Sequence, residues 1–250
     1  MNFDVVDTSG KKVGTLAVPA QFLVDVRPDV ISRVLRALLS WRRQPFGSAK
    51  EAGQQHSAKL SRRRRDYKTS YGHGMSRVPR KTMWRRGRQF GWVGAVAPGT
   101  VGGRRAHPPK VSSDWVQQVN VKERRYALRS ALSSTFASQR VAVVRDVEGL
   151  SRARDVSSLL LALHIPVALY SRRTGRGRLR GRAYREQVGP LFVVSSSCPL
   201  RTSAANIGGA SVVHVRSLHA GHFMKDAQTP RHVVWSAAAL DVLAKEKLYL

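Results

Sequence analysis

Acidic residues are scarce in this 250-residue chain: 15 Asp and Glu stand against 44 Lys and Arg, a formal net charge of +29 at pH 7. That imbalance concerns partners and solubility rather than fold, and a polyanion is the partner it suits. Cysteine is almost missing. The single Cys198 excludes an internal disulfide framework and a thiolate metal cluster. No apolar run reaches the roughly 18 residues of a membrane-spanning helix. Met1 to Val5 shows no basic segment followed by an apolar one, so the expectation is a cytoplasmic chain without membrane contact. Internal repeats and coiled-coil heptads are absent as well. So are a nucleophile elbow, a His-Glu-x-x-His helix and paired carboxylates, and Asp146, Glu148 and Asp155 read as loop and cap residues. An RNA-modifying enzyme on this chain has no site to work with, and neither enzymatic activity nor a cofactor is expected.

What is present is enough for a core, with 42% hydrophobic residues. Residues 3–6 and 13–18 are β-prone runs separated by a turn in which Gly10 is free to take positive φ. A helix is expected from Pro28, with Val30, Ile31, Val34, Leu35, Leu38 and Leu39 as one apolar stripe. It needs a packing partner, which the second half of the chain offers. Asn120 and Glu123 have capping-box spacing ahead of a helix turning Ala127, Leu128, Ala131, Leu132 and Phe136 inward. Short apolar strands are expected at 141–144, 167–170, 191–194, 212–215 and 233–235, with a helix over 151–163 and a last one capped by Ser236. Strands that are apolar throughout are covered on both faces. The expected fold is α/β, a three-layer core with a mainly parallel sheet, plus a long basic internal loop inserted near the N-terminal third. On this reading residues 1–250 are one domain containing the loop at 42–110 and a second basic loop at 171–186.

Residues 42–110 carry 18 Lys or Arg and two acids, Glu51 and Asp66, a formal charge of +16 over 69 residues. They show little of the period of a helix or a strand. Free in water such a segment buries too little apolar surface to recover its ordering entropy, whereas phosphate contacts relieve its repulsion and release counterions. Arg62, Arg63, Arg64 and Arg65 form an unbroken basic run. Downstream, Tyr67, Tyr71, His73, Arg77, Arg80, Lys81, Trp84, Arg85, Arg86, Arg88 and Trp92 mix cations, rings and intervening glycines. Arginines fork onto phosphates and flat rings stack on unpaired bases. Trp84 and Trp92 also admit reading as core residues. Arg104, Arg105, His107 and Lys110, set among Gly102, Gly103, Pro108 and Pro109, describe a rigid basic segment. The cations beside His107 repel a metal ion, and no metal site is expected.

The second patch holds seven arginines in the 14 positions 172–185: Arg172, Arg173, Arg176, Arg178, Arg180, Arg182 and Arg185. Its glycines, Gly175, Gly177 and Gly181, invite a dinucleotide-fingerprint reading. The third falls one place too late and no suitable helix follows, so a nucleic-acid contact loop after a strand is the better account.

Several of these segments, in order, resemble one family. Ser76 to Arg80, Gly102 to Lys110, Lys122 to Leu132 with Arg124 and Arg125, Arg176 to Arg182 with Gly189 to Leu191, Ala205 to Ile207 and Val212 to Leu218 are similar to the fourth protein of the large ribosomal subunit, in its archaeal and eukaryotic branch. The resemblance covers essentially the whole chain. It implies a structural protein of the ribosome, with an α/β domain on the outside of the large subunit and a long loop entering ribosomal RNA near the peptide exit tunnel. Residues 72–92 would be the deep part of that loop, with 77–80 clasping RNA. Large-subunit ribosomal RNA and neighbouring ribosomal proteins are the implied partners, and no homo-oligomer is expected. The long extension of eukaryotic members has no counterpart after Leu250, so the archaeal form is the nearer one. A free-standing RNA-binding assembly factor or RNA chaperone is the alternative with the same charge.

Overall fold

The computed structural model describes residues 1–61, 63–66, 69–87, 89–167 and 170–250, and leaves the side chains of Tyr170 and Glu186 aside. In chain order the elements are β1 (Asn2–Val6), β2 (Lys12–Ala17), α1 (Pro28–Trp41), β3 (Arg80–Arg86), β4 (Gln89–Gly94), α2 (Val121–Ala137), β5 (Val141–Val144) and α3 (Ala153–Ala162). There follow β6 (Tyr170–Arg172), α4 (Arg176–Leu179), β7 (Tyr184–Glu186), β8 (Leu191–Val194), α5 (Leu200–Ala204), β9 (Ser211–His214), α6 (Ala220–Phe223), β10 (Val233–Ser236) and α7 (Ala237–Lys245). The described residues divide into two compact units, residues 1–42 with 116–250 and residues 43–115.

The first unit is a mixed α/β structure around a six-stranded sheet in the order β2-β1-β5-β10-β8-β9. Only the edge pair β1–β2 is antiparallel, and the other four pairings are parallel. Alternate residues of the central strands enter different apolar clusters. Phe3, Val5, Val143, Leu191, Val193, Val233 and Trp235 join side chains of α1, α2, α6 and α7. Val144, Phe192, Val194 and Val234 join α3 and α5 instead. Every residue of β8 and β10 is buried, which is why those stretches show no alternation in the sequence. On the first face Phe22 lies edge-on to Phe3 at 5.3 Å and to Trp235 at 5.6 Å. Such pairs add about 0.5–1.5 kcal/mol to the burial of their surface.

Helix α2 is unusually polar for a buried element, with Ser130, Ser133, Ser134 and Thr135 all inside. Two of their hydroxyls hold a neighbouring segment. Ser133 Oγ accepts the backbone N–H of Val24 at 3.1 Å and Ser130 Oγ that of Arg27 at 2.7 Å, pinning the chain that feeds α1 against α2. Helix α1 turns Ile31 and Val34 into the core beside Leu128 and Leu132, while Leu39, expected in the stripe, is 66% exposed at its far edge.

Several local expectations need correction. Asn120 is the N-cap residue of α2 but its side chain makes no capping bond. Glu123, which the capping box required, pairs instead with Arg33 at 3.1 Å, because a full charge outcompetes a backbone amide for the carboxylate. Ser236 likewise stands at the N-cap of α7 without a side-chain bond. Val215 falls in a 3-10 turn rather than in β9. The strand expected at 167–170 does not include Val167; residues 168 and 169 lie outside the described residues, and β6 starts at Tyr170. Moreover β6 pairs with β7 in a two-stranded ribbon and not with the six-stranded sheet.

One buried cation organises the strand ends. Arg231, 9% exposed, donates from Nε and Nη2 to Gly189 O at 2.9 and 2.8 Å and from Nη1 to His222 O at 3.1 Å. Nη2 also reaches Pro190 O, Gly209 O and Ser211 Oγ. Burial lowers its pKa to about 10, which leaves the guanidinium charged at neutrality. Beside it, the His219 and His222 rings stack at 3.5 Å; burial pushes both below the usual imidazole range, His222 to about 3, so this pair stays neutral. Replacing Arg231 with Met strands several buried carbonyls, and urea unfolding of the full chain should show a loss of about 2–4 kcal/mol. Arg231→Lys should recover less than half of it, because an ammonium lacks the planar fork.

Candidate nucleic-acid interface

The unit of residues 43–115 is held by close backbone approaches at glycine rather than by an apolar interior. A Cβ on Gly53, whose φ is +78°, would lie 2.6 Å from Arg104 N and Gly103 C, and one on Gly103 would lie 2.3 Å from Ala97 O. Only glycine permits such contacts. Ser48 N donates to Pro109 O, and Lys59 and Arg80 exchange backbone hydrogen bonds of 3.3 and 3.4 Å. At one end of the unit the Arg43 guanidinium sits 3.9 Å from the ring centroid of Trp115, itself stacked on Phe46 at 5.8 Å.

β3 and β4 pair antiparallel as a hairpin, where the sequence shows no recognisable strand period. In β3 the cations stand in adjacent pairs, Arg80 with Lys81 and Arg85 with Arg86, and five of its seven residues are exposed, so no apolar face alternates with a polar one. Gly87 turns the chain at φ +55°. A register shift lies between Thr82 and Trp84. Trp84 lies across Gly91, where any Cβ would meet its Nε1 at 2.1 Å, and remains 54% exposed. Trp92 stacks near Phe90 at 6.3 Å and is half-buried. The two tryptophans thus part ways: Trp92 packs within the hairpin, and Trp84 offers a ring to solvent.

The predicted basic residues fall into distinct environments. Arg63, Arg64 and Arg65 are exposed on a turn whose base is Ser61, donating to Asp66 Oδ2 at 2.9 Å. Arg62 and Arg88 lie outside the described residues, as does Tyr67. His73 is exposed between Gly72 and Gly74, both at positive φ. Arg77 is exposed with its guanidinium 5.0 Å from the Tyr71 ring. Arg80 braces the local backbone. Its Nη1 donates to Val78 O at 3.2 Å and its Nη2 to Ser76 O at 2.6 Å, fixing the bend that presents Arg77. Lys81 is half-buried along β3, and Arg85 and Arg86 are exposed at its end, with Arg85 5.2 Å from the Phe90 ring. Arg104 is half-buried, whereas Arg105, His107 and Lys110 are exposed.

In the α/β unit the second basic patch is the β6–β7 ribbon, whose tip contains the single turn α4. Arg173 is tied down, its Nε donating to Tyr184 O at 3.1 Å. Arg172, Arg176, Arg178, Arg180, Arg182 and Arg185 are exposed, and Leu179 at the tip is 86% exposed. Arg124 and Arg125 project from the start of α2, Arg124 lying 5.5 Å from the Trp41 ring and Arg125 donating to Leu250 O at 3.2 Å.

Charge pairing separates these residues from the rest. Among the described residues the ion pairs are Lys12–Asp4, Arg27–Asp29, Arg33–Glu123, Arg145–Asp146 and Arg216–Glu246. None engages a predicted site residue, and all lie in the α/β unit. The half-buried arginines Arg80 and Arg173, read from sequence as contact residues, act first on their own backbone. Arg231 was missed altogether, since an arginine beside a strand looks like any other in so basic a chain. Exposed cations, glycine-supported turns and an open tryptophan face are the equipment for phosphates and unpaired bases.

The sequence model of the ribosomal protein L4/L1 family matches residues 16–246. Archaeal relatives named large ribosomal subunit protein uL4 are similar along nearly the whole chain. That of Nanoarchaeum equitans is 38% identical over 267 residues, covering 100% of both chains. Those of Halobacterium salinarum and Archaeoglobus fulgidus are 34% and 31% identical, covering 98% of this chain and 100% and 99% of their own. With matches of this extent falling on the same elements that carry the unpaired cations, the chain belongs to the ribosomal protein L4/L1 family.

Proposed function

We propose that this chain is a structural constituent of the large ribosomal subunit of an archaeal-type ribosome in the cytoplasm, where it binds large-subunit ribosomal RNA and stabilises its fold. Family membership supports the assignment. The observation that carries the RNA-binding mechanism is the set of exposed cations without carboxylate partners, among the described residues, on 63–110 and on the β6–β7 ribbon. Residues 42–110 act as the RNA-penetrating arm, inserted within a single functional domain, and contribute to the wall of the polypeptide exit tunnel. Arg77 reaches phosphate from a bend that Arg80 holds, and Trp84 supplies a stacking face beside Arg85 and Arg86. The ribbon at 171–186 makes a second contact. Recognition rests on RNA shape and stacked unpaired bases, because the A-form major groove is too narrow for side chains. Neighbouring ribosomal proteins complete the surroundings.

An assembly factor carries the same charge but leaves the finished particle. Sucrose-gradient fractionation after a high-salt wash distinguishes the two: the chain should remain stoichiometric with large subunits, and its appearance only at the top of the gradient would make it a factor. Arg77→Ala with Arg80→Ala should leave the α/β core folded, by the helical circular dichroism of the full chain, while lowering affinity for large-subunit RNA about tenfold and reducing incorporation. Trp84→Ala should weaken the same binding by about 1–3 kcal/mol with no change in its salt dependence. In limited proteolysis residues 43–115 should be cut quickly in the free protein and be protected in particles.

A further inference from the structure

A cleft of about 580 Å³ lies between α1 and α2, away from both basic patches in sequence. Lys122, Tyr126 and Arg129 line it from α2, spaced i, i+4 and i+7, so they form one stripe about 10 Å long. Arg33 and Asp29 line it from α1, Arg27 from the residue before that helix, and Glu123 from α2. Both acids are already engaged. Arg27 forks onto Asp29 through Nε at 3.3 Å and Nη2 at 2.6 Å, and holds that carboxyl below the usual carboxylate range. Arg33 takes Glu123. The remaining cations, Lys122 and Arg129, have no ion-pair partner among the described residues. The Arg129 Nε–H is buried with no hydrogen-bond partner among the described residues, and its guanidinium stands 5.7 Å from the Tyr126 ring.

We propose that this cleft is an RNA-binding site in its own right, taking an unpaired nucleotide whose base stacks at Tyr126 and whose flanking phosphates are held by Lys122 and Arg129. The proposal rests on ribosomal RNA being the partner. The ring and guanidinium offer the flat surfaces on which unpaired bases stack, and the cations on either side match the backbone of a single strand. The ion pairs on the α1 side act as a rim that keeps both carboxylates from repelling the strand.

The test is filter binding of the full chain to deproteinised large-subunit RNA between about 50 and 200 mM salt. Lys122→Ala with Arg129→Ala should lower affinity three- to tenfold and flatten the slope of log K against log salt by about 1.4, two contacts at roughly 0.7 each for a single strand. Tyr126→Ala should lower affinity about tenfold and leave the slope alone. The charge-matched control is Arg152→Ala with Arg154→Ala, both exposed at the start of α3, whose core side chains belong to the other cluster. Lys122 is exposed, so Lys122→Ala alone keeps the fold and should show half the slope change even where the Arg129 substitution perturbs packing. A double variant indistinguishable from the control in affinity and slope overturns the proposal. So does a defect seen only against polyglutamate, which would assign the cleft to an acidic protein segment. Failure of the wild-type chain to prefer this RNA over heparin would instead sink the ribosomal reading beneath it.

Discussion

Like charges have to be kept apart, and a chain with 44 cations and 15 carboxylates cannot neutralise itself. Its architecture answers by segregation. The described ion pairs sit on the α/β unit, while the basic hairpins β3–β4 and β6–β7 carry cations that pair with nothing acidic described there. Those two ribbons are held by the backbone hydrogen bonds of their ladders, which are indifferent to charge. The sheet interior is apolar and covered on both faces, and its burial offsets the self-repulsion of so large a net charge.

The α/β core was legible because its strands are short, apolar throughout and fully buried, as at β8 and β10. Periodicity located α1, α2 and α3 for the same reason. Burial leaves a mark on composition, and charge competition does not: Glu123 has the right spacing for a capping box, and only the approach of Arg33 from another helix decides against it. The β3–β4 hairpin escaped notice because neither face is apolar enough to register. Residues 171–186 read as a loop after a strand because a run of apolar residues precedes them, whereas β6 pairs with the basic strand β7 that follows. Among the predicted contact residues, sequence separates cation from non-cation and no further. That Arg77 is presented and Arg80 is the brace depends on which carbonyls lie within reach.

Helix α2 serves three neighbours at once. One side carries Leu128 and Leu132 into the core, buried serines fasten the segment before α1, and the outer turns hold Arg124, Arg125, Lys122 and Arg129. Its weak apolar bias follows from these demands. A helix with a single wide apolar stripe would have left either the hydroxyls or the guanidinium groups without a position.

The setting of Arg231 bears on how so basic a chain finds its fold. An internal carboxylate would be a target for any of the other cations, and the wrong partner would bind it as firmly as the right one. Carbonyl oxygens of Gly189, Pro190, Gly209 and His222 converge only once β8, β9 and β10 stand side by side, so they select by shape and not by sign. The buried cation is thereby made to wait for the correct assembly, a form of proofreading available to a polypeptide that has very few negative charges to spare.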